Sequence, residues 1–272
     1  MAEERGKSDL GWLHARFTFA FGNYQDSRHS GFRSLKVMNN DTIEPGGGFS
    51  THPHKNMEIF TYVMRGSLEH KDSMGNGSVL SAGQLQYMSA GNGVYHSEFN
   101  PSEEEQTELY QIWLEPKQIG GSPLYEEKVV DSEFLRNDLN ILFSGNGRNG
   151  SIVIRQDAEF SLVHLDEGKT IQLKPSSLFP FGWIQVISGT LRAGENQLFK
   201  ADGMAIEDWN ENIDIQVQTA KLIRIAPKYI DNITLKKLQS SQFYNDYLHI
   251  YWGVKEALFK AFGLGQVNFI EH

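Results

Sequence analysis

The chain contains no cysteine, which excludes disulfides, thiolate nucleophiles and zinc-finger chemistry. Basic residues are few relative to acidic ones, and the formal charge is -9 at pH 7. Nucleic-acid binding needs clustered Lys and Arg that displace phosphate counterions, so direct binding to nucleic acid is not expected. No apolar run has the length of a membrane span, and residues 1–9 are polar. These absences predict a cytoplasmic protein without membrane contact.

Hydrophobic residues are plentiful by contrast: they make up 39% of 272 residues, and aromatic residues make up 12%. Such a chain can form one large or two ordinary cores, and we predict two domains. Short alternating runs are interrupted by Arg65-Gly66, Gly75-Asn76-Gly77 and Ala82-Gly83. Glycine at these positions is typical of tight β connections, so the segment is predicted to form a small all-β barrel.

Two pairs of metal-type ligands bracket this segment. His52 and His54 are two residues apart, which puts both imidazoles on one face of an extended strand. His96 and Glu98 repeat the spacing after enough chain for antiparallel strands to return the second pair beside the first. Burying four such side chains without a metal or full pairing is costly, so we predict that they bind one metal ion.

Three imidazoles and one carboxylate form a donor set of intermediate softness. It suits iron, manganese, nickel, cobalt, copper or zinc, and the affinity order alone does not choose among them. On an octahedral ion, four protein ligands leave two positions open, where dioxygen or a bidentate substrate can bind. The remaining histidines are isolated in the sequence and are not expected to be ligands; His70 is the one inside the barrel segment.

The histidine segments resemble the pirin family of the cupin superfamily. The pattern of Gly46, His52, His54, Glu58 and Gly66 resembles the first cupin motif, with one extra residue before the last glycine. Residues 83–96 resemble the second cupin motif in looser form. The likeness to pirins is carried by residues 52–58, 70–76 and 88–98, and upstream by Gly11-Trp12-Leu13, Phe17-Thr18-Phe19 and Asp26-Ser27-Arg28.

The resemblance implies a ligand set. In pirins the metal is held by residues that match His52, His54, His96 and Glu98, and all four are present. Cupins more generally use a glutamate at the position of Glu58. Its strand parity with the first two histidines would let it reach the metal, so Glu58 is kept as a reserve ligand while the resemblance favours Glu98.

The alternating segment Glu108–Leu114 is predicted to be a strand with Leu109, Gln111 and Trp113 on one face. In pirins the matching strand lines the barrel, which makes Gln111 a candidate pocket residue. Apolar pocket walls are predicted from Met57, Phe60, Met88, Tyr95 and Trp113.

The second half of the chain partly repeats the first. Residues 63–68 are echoed by residues 186–191, and residues 81–84 by residues 201–204, which predicts two stacked barrels, a bicupin. At this offset the first histidine pair falls on Pro175-Ser176-Ser177, so the second barrel is expected to lack ligands. We predict three regions: a metal-binding N-terminal barrel (1–135), a C-terminal barrel (136–229) and, from apolar residues at helical spacing, a helical tail (230–272).

Two kinds of function are implied by the resemblance. Several pirins are flavonol dioxygenases that open the central ring of quercetin with dioxygen and release carbon monoxide. This implies a quercetin 2,3-dioxygenase-type oxidoreductase with a small polyphenolic substrate, iron(II) as the favoured metal, and Glu98 as ligand and catalytic base in turn. Other pirins regulate transcription factors or metabolic enzymes, so a non-enzymatic metal-dependent binding protein with a protein partner stays open. An isomerase is kept as a third possibility because fold does not fix function.

Overall fold

The computed structural model describes residues 1–130 and 134–227, which are mostly β-strands. The strands of the first half are β1 (Gly6–Asp9), β2 (Leu13–Phe17), β3 (Leu35–Ile43), β4 (Gly48–His54), β5 (Glu58–Arg65), β6 (Ser67–Asp72), β7 (Gly77–Ser81), β8 (Gln84–Ser89), β9 (Val94–Phe99), β10 (Thr107–Leu114) and β11 (Leu124–Val129). Those of the second half are β12 (Asn140–Ser144), β13 (Ile152–Val153), β14 (Ala158–Leu165), β15 (Thr170–Leu173), β16 (Gly182–Ala193), β17 (Asn196–Phe199), β18 (Gly203–Ile206) and β19 (Ile213–Pro227). Short 3-10 helices occupy Ala2–Glu4 and Arg148–Gly150. Within these described ranges, no helix is long and apolar enough to cross a membrane.

The first barrel is made of two sheets. The larger has the strand order β1-β2-β3-β10-β5-β8-β11, and the smaller has the order β4-β9-β6-β7. Gly66, between β5 and β6, has a φ of 72°, and Gly83, between β7 and β8, has a φ of 88°. Side chains disfavour this left-handed backbone, which is why glycine marks both turns in the sequence.

The second barrel is built on one sheet with the order β13-β12-β14-β19-β16-β17, to which β15 and β18 are added through β19 and β16. Gly189, the echo of Gly66, also has a left-handed backbone, with a φ of 78°. The two barrels confirm the predicted all-β bicupin architecture. The domain limits near residues 135 and 229 stay predictions, and the predicted helical tail lies outside the described residues.

An aromatic core joins the two barrels. Phe60 on β5 packs against Phe143 and Phe160 of the second barrel, with ring centroids 5.0 and 5.6 Å apart, and Tyr87 on β8 lies 5.9 Å from Phe143. Each fully buried ring of this size stabilises the fold by about 1.5–3 kcal/mol. One face of β5 therefore belongs to the core between the barrels, and its other face lies inside the first barrel.

Candidate metal centre

The three predicted histidine ligands meet on two paired strands of the smaller sheet. β4 and β9 are antiparallel, and His52 lies directly opposite His96. The ring centroids are 4.9 Å apart for His52 and His54, 4.4 Å for His52 and His96, and 4.8 Å for His54 and His96. One potential donor nitrogen of each ring lies within 4.8 Å of the others. The fold therefore brings the two histidine segments together, as their spacing predicted.

Hydrogen bonds leave particular ring nitrogens free. His52 Nδ1 is 2.8 Å from the carbonyl oxygen of Ser50, which only accepts, so Nδ1 carries the proton and Nε2 keeps its lone pair in the neutral ring. His96 Nδ1 is 3.5 Å from His70 Nδ1, whose other nitrogen is 3.4 Å from Asp72 Oδ2. Among the described residues, His96 Nε2 is buried without a hydrogen-bond partner. A buried nitrogen of this kind suits a metal ligand.

Glu98, on β9, forms a second cluster with His96 and His70 and does not belong to the cluster of His52, His54 and His96. One of its carboxylate oxygens lies within 4.8 Å of a ring nitrogen of His96. The carboxylate accepts a hydrogen bond from Gln111 Nε2 at 2.9 Å, and longer ones from Thr61 Oγ1 and Gln86 Nε2, both at 3.5 Å. Gln111, predicted to face the pocket, does so and fixes the orientation of this carboxylate.

Burial controls the protonation of these groups. It lowers the pKa of His54 to about 4 and, together with the neighbouring histidines, lowers that of His96 to about 2. Both rings are therefore neutral near pH 7 and can offer a lone pair to a metal. Burial raises the pKa of Glu98, which makes its carboxylate a stronger proton acceptor than an exposed glutamate.

The cluster lines a cavity of about 580 Å³, a volume typical of small-molecule sites. Its apolar wall is supplied by Leu10, Leu13, Ala15, Phe17, Phe21, Phe49, Ile59 and Trp113. The Trp113 ring stands edge-on to His54 at 4.9 Å and to Phe21 at 5.5 Å. A flat aromatic ligand can therefore lie against aromatic side chains while one of its edges faces the histidines.

Of the five predicted wall residues, Trp113 lines the cavity and the other four do not. Phe60 lies in the core between the barrels, and Met88 lies in a separate buried cluster against which Met57 packs. Tyr95 is 57% exposed. Phe60 was predicted wrongly because its face of β5 packs on the second barrel. Met88 shares the interior face of the sheet with Ile59 and Trp113, but it lies on β8, one strand beyond Ile59 and outside the cavity.

Glu58, the reserve ligand, is held away from the histidines. Its carboxylate accepts hydrogen bonds from the Tyr87 hydroxyl, from Ser89 Oγ at 2.6 Å and from the backbone N–H of Arg155 in the second barrel at 2.9 Å. It belongs to neither cluster of potential ligands found in the described part of the chain. The alternation of side chains along β4 does not continue to Glu58, because Asn56, between β4 and β5, takes a left-handed φ of 53°. Glu58 therefore does not point to the same side as His52 and His54.

The substitution Glu58→Gln should leave the metal content of the protein unchanged and lower its stability by about 2 kcal/mol, because an amide cannot accept all three hydrogen bonds. Metal analysis together with urea unfolding of the metal-free protein checks both expectations. Loss of metal in this variant would make Glu58 the carboxylate ligand.

Two polar residues of β3 were not predicted as site residues. Asn39 lies opposite Gln111 in the β3–β10 pair, and Asp41, two residues further, shares its face. Both are buried and line the cavity. The pKa of Asp41 is raised to about 7, first by burial and then by the charge of Glu98, while Arg5 opposes the shift. The sequence signal that could have identified both as site residues is their position two residues apart, on a strand face that is otherwise apolar.

The raised pKa of Asp41 predicts a pH-dependent stability. Because the folded protein binds this proton more tightly than the unfolded chain does, the stabilisation is complete below about pH 4 and is lost as the pH rises to about 7. The metal-free wild-type protein should therefore lose stability relative to Asp41→Asn over this range, by at most roughly 4 kcal/mol. Parallel unfolding curves at pH 5 and pH 8 test this, and a constant difference between the two proteins would contradict it.

Models of known protein families match both barrels. A family model described as Pirin matches residues 1–114, and a model described as Quercetinase C-terminal cupin domain matches residues 141–223. The metal cluster lies wholly within the first match.

Individual relatives are similar over most of their length. The protein named Quercetin 2,3-dioxygenase of Escherichia coli (strain K12) is 43% identical over 212 residues, which cover 77% of this chain and 88% of that protein. The Pirin-like protein of Caulobacter vibrioides is 36% identical over 210 residues, covering 76% of this chain and 88% of that protein. The crystal structure of bacterial pirin YhhW from Escherichia coli in complex with nickel(II) superposes with a TM-score of 0.79 at 38% identity, covering 84% of this chain and 97% of that one.

Proposed function

This chain belongs to the pirin family, and from that premise we propose that it is a metal-dependent dioxygenase that opens the central ring of flavonols such as quercetin and releases carbon monoxide. The observation that carries the proposal is the cluster of His52, His54 and His96, with Glu98 beside His96, at an apolar cavity large enough for a small polyphenol. Relatives named quercetin 2,3-dioxygenase support it.

One divalent transition metal would be held by His52, His54, His96 and Glu98. The unpartnered Nε2 of His96 and the nickel(II) complex of the related bacterial pirin support this assignment. Iron(II) is the ion we favour, and manganese, nickel, cobalt, copper and zinc also suit the donor set. When bound, such an ion supplies open coordination positions together with Lewis-acid or redox chemistry.

Glu98 is the proposed catalytic residue. Its raised pKa suits it to accept the proton of the flavonol 3-hydroxyl, since a base works best when its pKa approaches the operating pH. The hydrogen bond from Gln111 holds Oε2, whereas Oε1 accepts only longer bonds of 3.5 Å from Thr61 and Gln86, so Oε1 is the oxygen that would be available to a metal or to the substrate.

The apolar wall of the cavity would bind the substrate. Phe21, Phe49 and Trp113 offer aromatic surface to a flat substrate and exclude water from the side of the cavity next to the histidines. The contact of Trp113 with His54 links the substrate-binding wall directly to a proposed ligand.

Aerobic turnover of quercetin by protein of known metal content tests the proposal. Loss of the flavonol absorbance with stoichiometric release of carbon monoxide supports it. Absence of turnover at full occupancy with iron, manganese, nickel, cobalt or copper would overturn it. That result would favour a metal-dependent regulatory protein that binds a protein partner.

A further inference from the structure

Three buried oxygen atoms on one face of β3 and β10 have no hydrogen-bond donor among the described residues. They are Asn39 Oδ1, Asp41 Oδ1 and Gln111 Oε1. Their side chains are 3%, 4% and 9% exposed, and all three line the cavity of the metal centre. Unpaired buried acceptors are costly, and three of them in one wall indicate that a ligand supplies the missing donors.

The register of the sheet arranges these atoms in a definite way. Gln111 is next to Glu98, to which its Nε2 donates, and this bond leaves Oε1 as the unpaired atom of the amide. Asn39 is its direct partner on the neighbouring strand, about 5 Å away, and Asp41 follows two residues along β3 on the same face. The three acceptors therefore lead away from Glu98 towards the amino-terminal side of the cavity, where Phe17 and Ala15 pair with Asn39 and Asp41.

We propose that Asn39, Asp41 and Gln111 form an acceptor wall that binds the ring hydroxyls of the substrate and selects polyhydroxylated flavonols over those that carry the 3-hydroxyl alone. This inference rests on the proposed function and names the part of the substrate that the site reads. A phenolic hydroxyl donates a hydrogen bond, which is what the three atoms lack. A carboxyl group keeps an acceptor oxygen in both protonation states, so Asp41 can take part in either form.

The position of the acceptor wall suits this role. A flavonol whose 3-hydroxyl faces Glu98 extends its remaining rings across the neighbouring strands, past Asn39 and Asp41. If a ligand lacks one of these hydroxyls, the acceptor oxygen stays buried without a donor, and the site therefore binds that ligand much more weakly. An apolar wall alone would distinguish the two ligands only weakly.

Anaerobic binding of two ligands tests the inference, because without dioxygen binding is separated from turnover. The ligands are quercetin and 3-hydroxyflavone, which lacks all ring hydroxyls except the 3-hydroxyl. Metal-loaded wild-type protein should bind quercetin at least about tenfold more tightly. Asn39→Leu and Asp41→Leu, which keep the side-chain size and remove the acceptor, should each weaken quercetin binding about tenfold and change binding of 3-hydroxyflavone less than about twofold.

Two control variants sharpen the test. Asn40 is adjacent on β3 but donates to the carbonyl oxygen of Leu109 and does not line the cavity, so Asn40→Leu should keep the preference for quercetin. Asp41→Asn retains an acceptor oxygen and should keep the preference too. Metal content and circular dichroism are measured for every variant.

The outcomes separate the inference from the function on which it rests. Equal binding of the two ligands by the wild-type protein would overturn the acceptor wall, and so would equal weakening of both by the leucine variants. The dioxygenase proposal would still stand in either case if the wild-type protein turns over quercetin. The wild-type comparison needs no variant, so it decides even if a leucine variant fails to fold. Failure of the wild-type protein to bind either flavonol overturns the proposed function and the acceptor wall together.

Discussion

Replacing His96 with alanine should remove nearly all bound metal, with affinity falling at least about 100-fold. The effect is expected to be the largest of any single ligand because His96 belongs to both clusters of potential ligands in the described residues, one with His52 and His54 and one with His70 and Glu98. Its ring is also the one whose Nε2 is buried without a partner.

The orientation of His96 adds to the expected loss. Asp72 accepts from His70 Nε2, which leaves His70 Nδ1 to accept from His96 Nδ1. This chain of side chains directs His96 Nε2 towards the other two histidines, a geometry that water cannot reproduce in the alanine variant.

Metal analysis after dialysis against a chelator measures the loss, and thermal unfolding provides a second readout. Metal raises the stability of any protein that binds it only in the folded state, so the wild-type Tm should rise with added metal and that of His96→Ala should not. His164→Ala, on β14 of the second barrel, is the matched control and should behave like the wild-type protein. Unchanged metal stoichiometry in His96→Ala would contradict the ligand assignment.

Local spacing was enough to predict that the three histidines converge. The two-residue period of a strand places His52 beside His54, and the glycine turns at Gly66 and Gly83 return the chain so that His96 meets them. These features depend on neighbours in sequence and on the left-handed backbone that glycine allows. They are therefore visible without any knowledge of how the sheets pack.

The surroundings of the site depend on longer-range contacts and were predicted less well. Whether Phe60 or Thr61 faces the interior is decided by which side of β5 packs on the second barrel, and the bond from Glu58 to the Arg155 backbone exists only because the two barrels meet there. His70 looked isolated because two of its partners, His96 and Tyr125, come from other strands; its ring stacks on Tyr125 at 4.6 Å.

For Asn39 and Asp41, the sequence contained a signal, but it was not sufficient to predict that they belong to the site. Both share one face of β3 with the buried residues Val37 and Ile43, which indicates that their side chains point inward. Their proximity to Glu98, however, follows from the order β3-β10-β5 in the sheet, in which Gln111 lies between Asn39 and Thr61. Strand order in an antiparallel sheet is set by the whole chain and cannot be read from one strand.

Glu98→Gln should lower the rate of flavonol cleavage by about 100- to 10,000-fold, because it removes the proposed base while keeping the size of the side chain. The amide oxygen can still contact a metal, so excess metal should fill the site. Glu58→Gln, a second buried glutamate of the same barrel whose partners are Tyr87, Ser89 and Arg155, is the matched control and should keep wild-type turnover.

Raising the pH distinguishes loss of the base from loss of the metal in Glu98→Gln. As the flavonol 3-hydroxyl ionises in solution, the substrate no longer needs a protein base, so the rate of the variant at saturating metal should climb towards that of the wild-type protein. A rate that stays low at high pH, with the metal site full, would show that Glu98 acts through the metal or the substrate pose instead. A variant within about threefold of the wild-type rate at neutral pH would remove Glu98 from the proton transfer altogether, since a positioned base contributes far more than that.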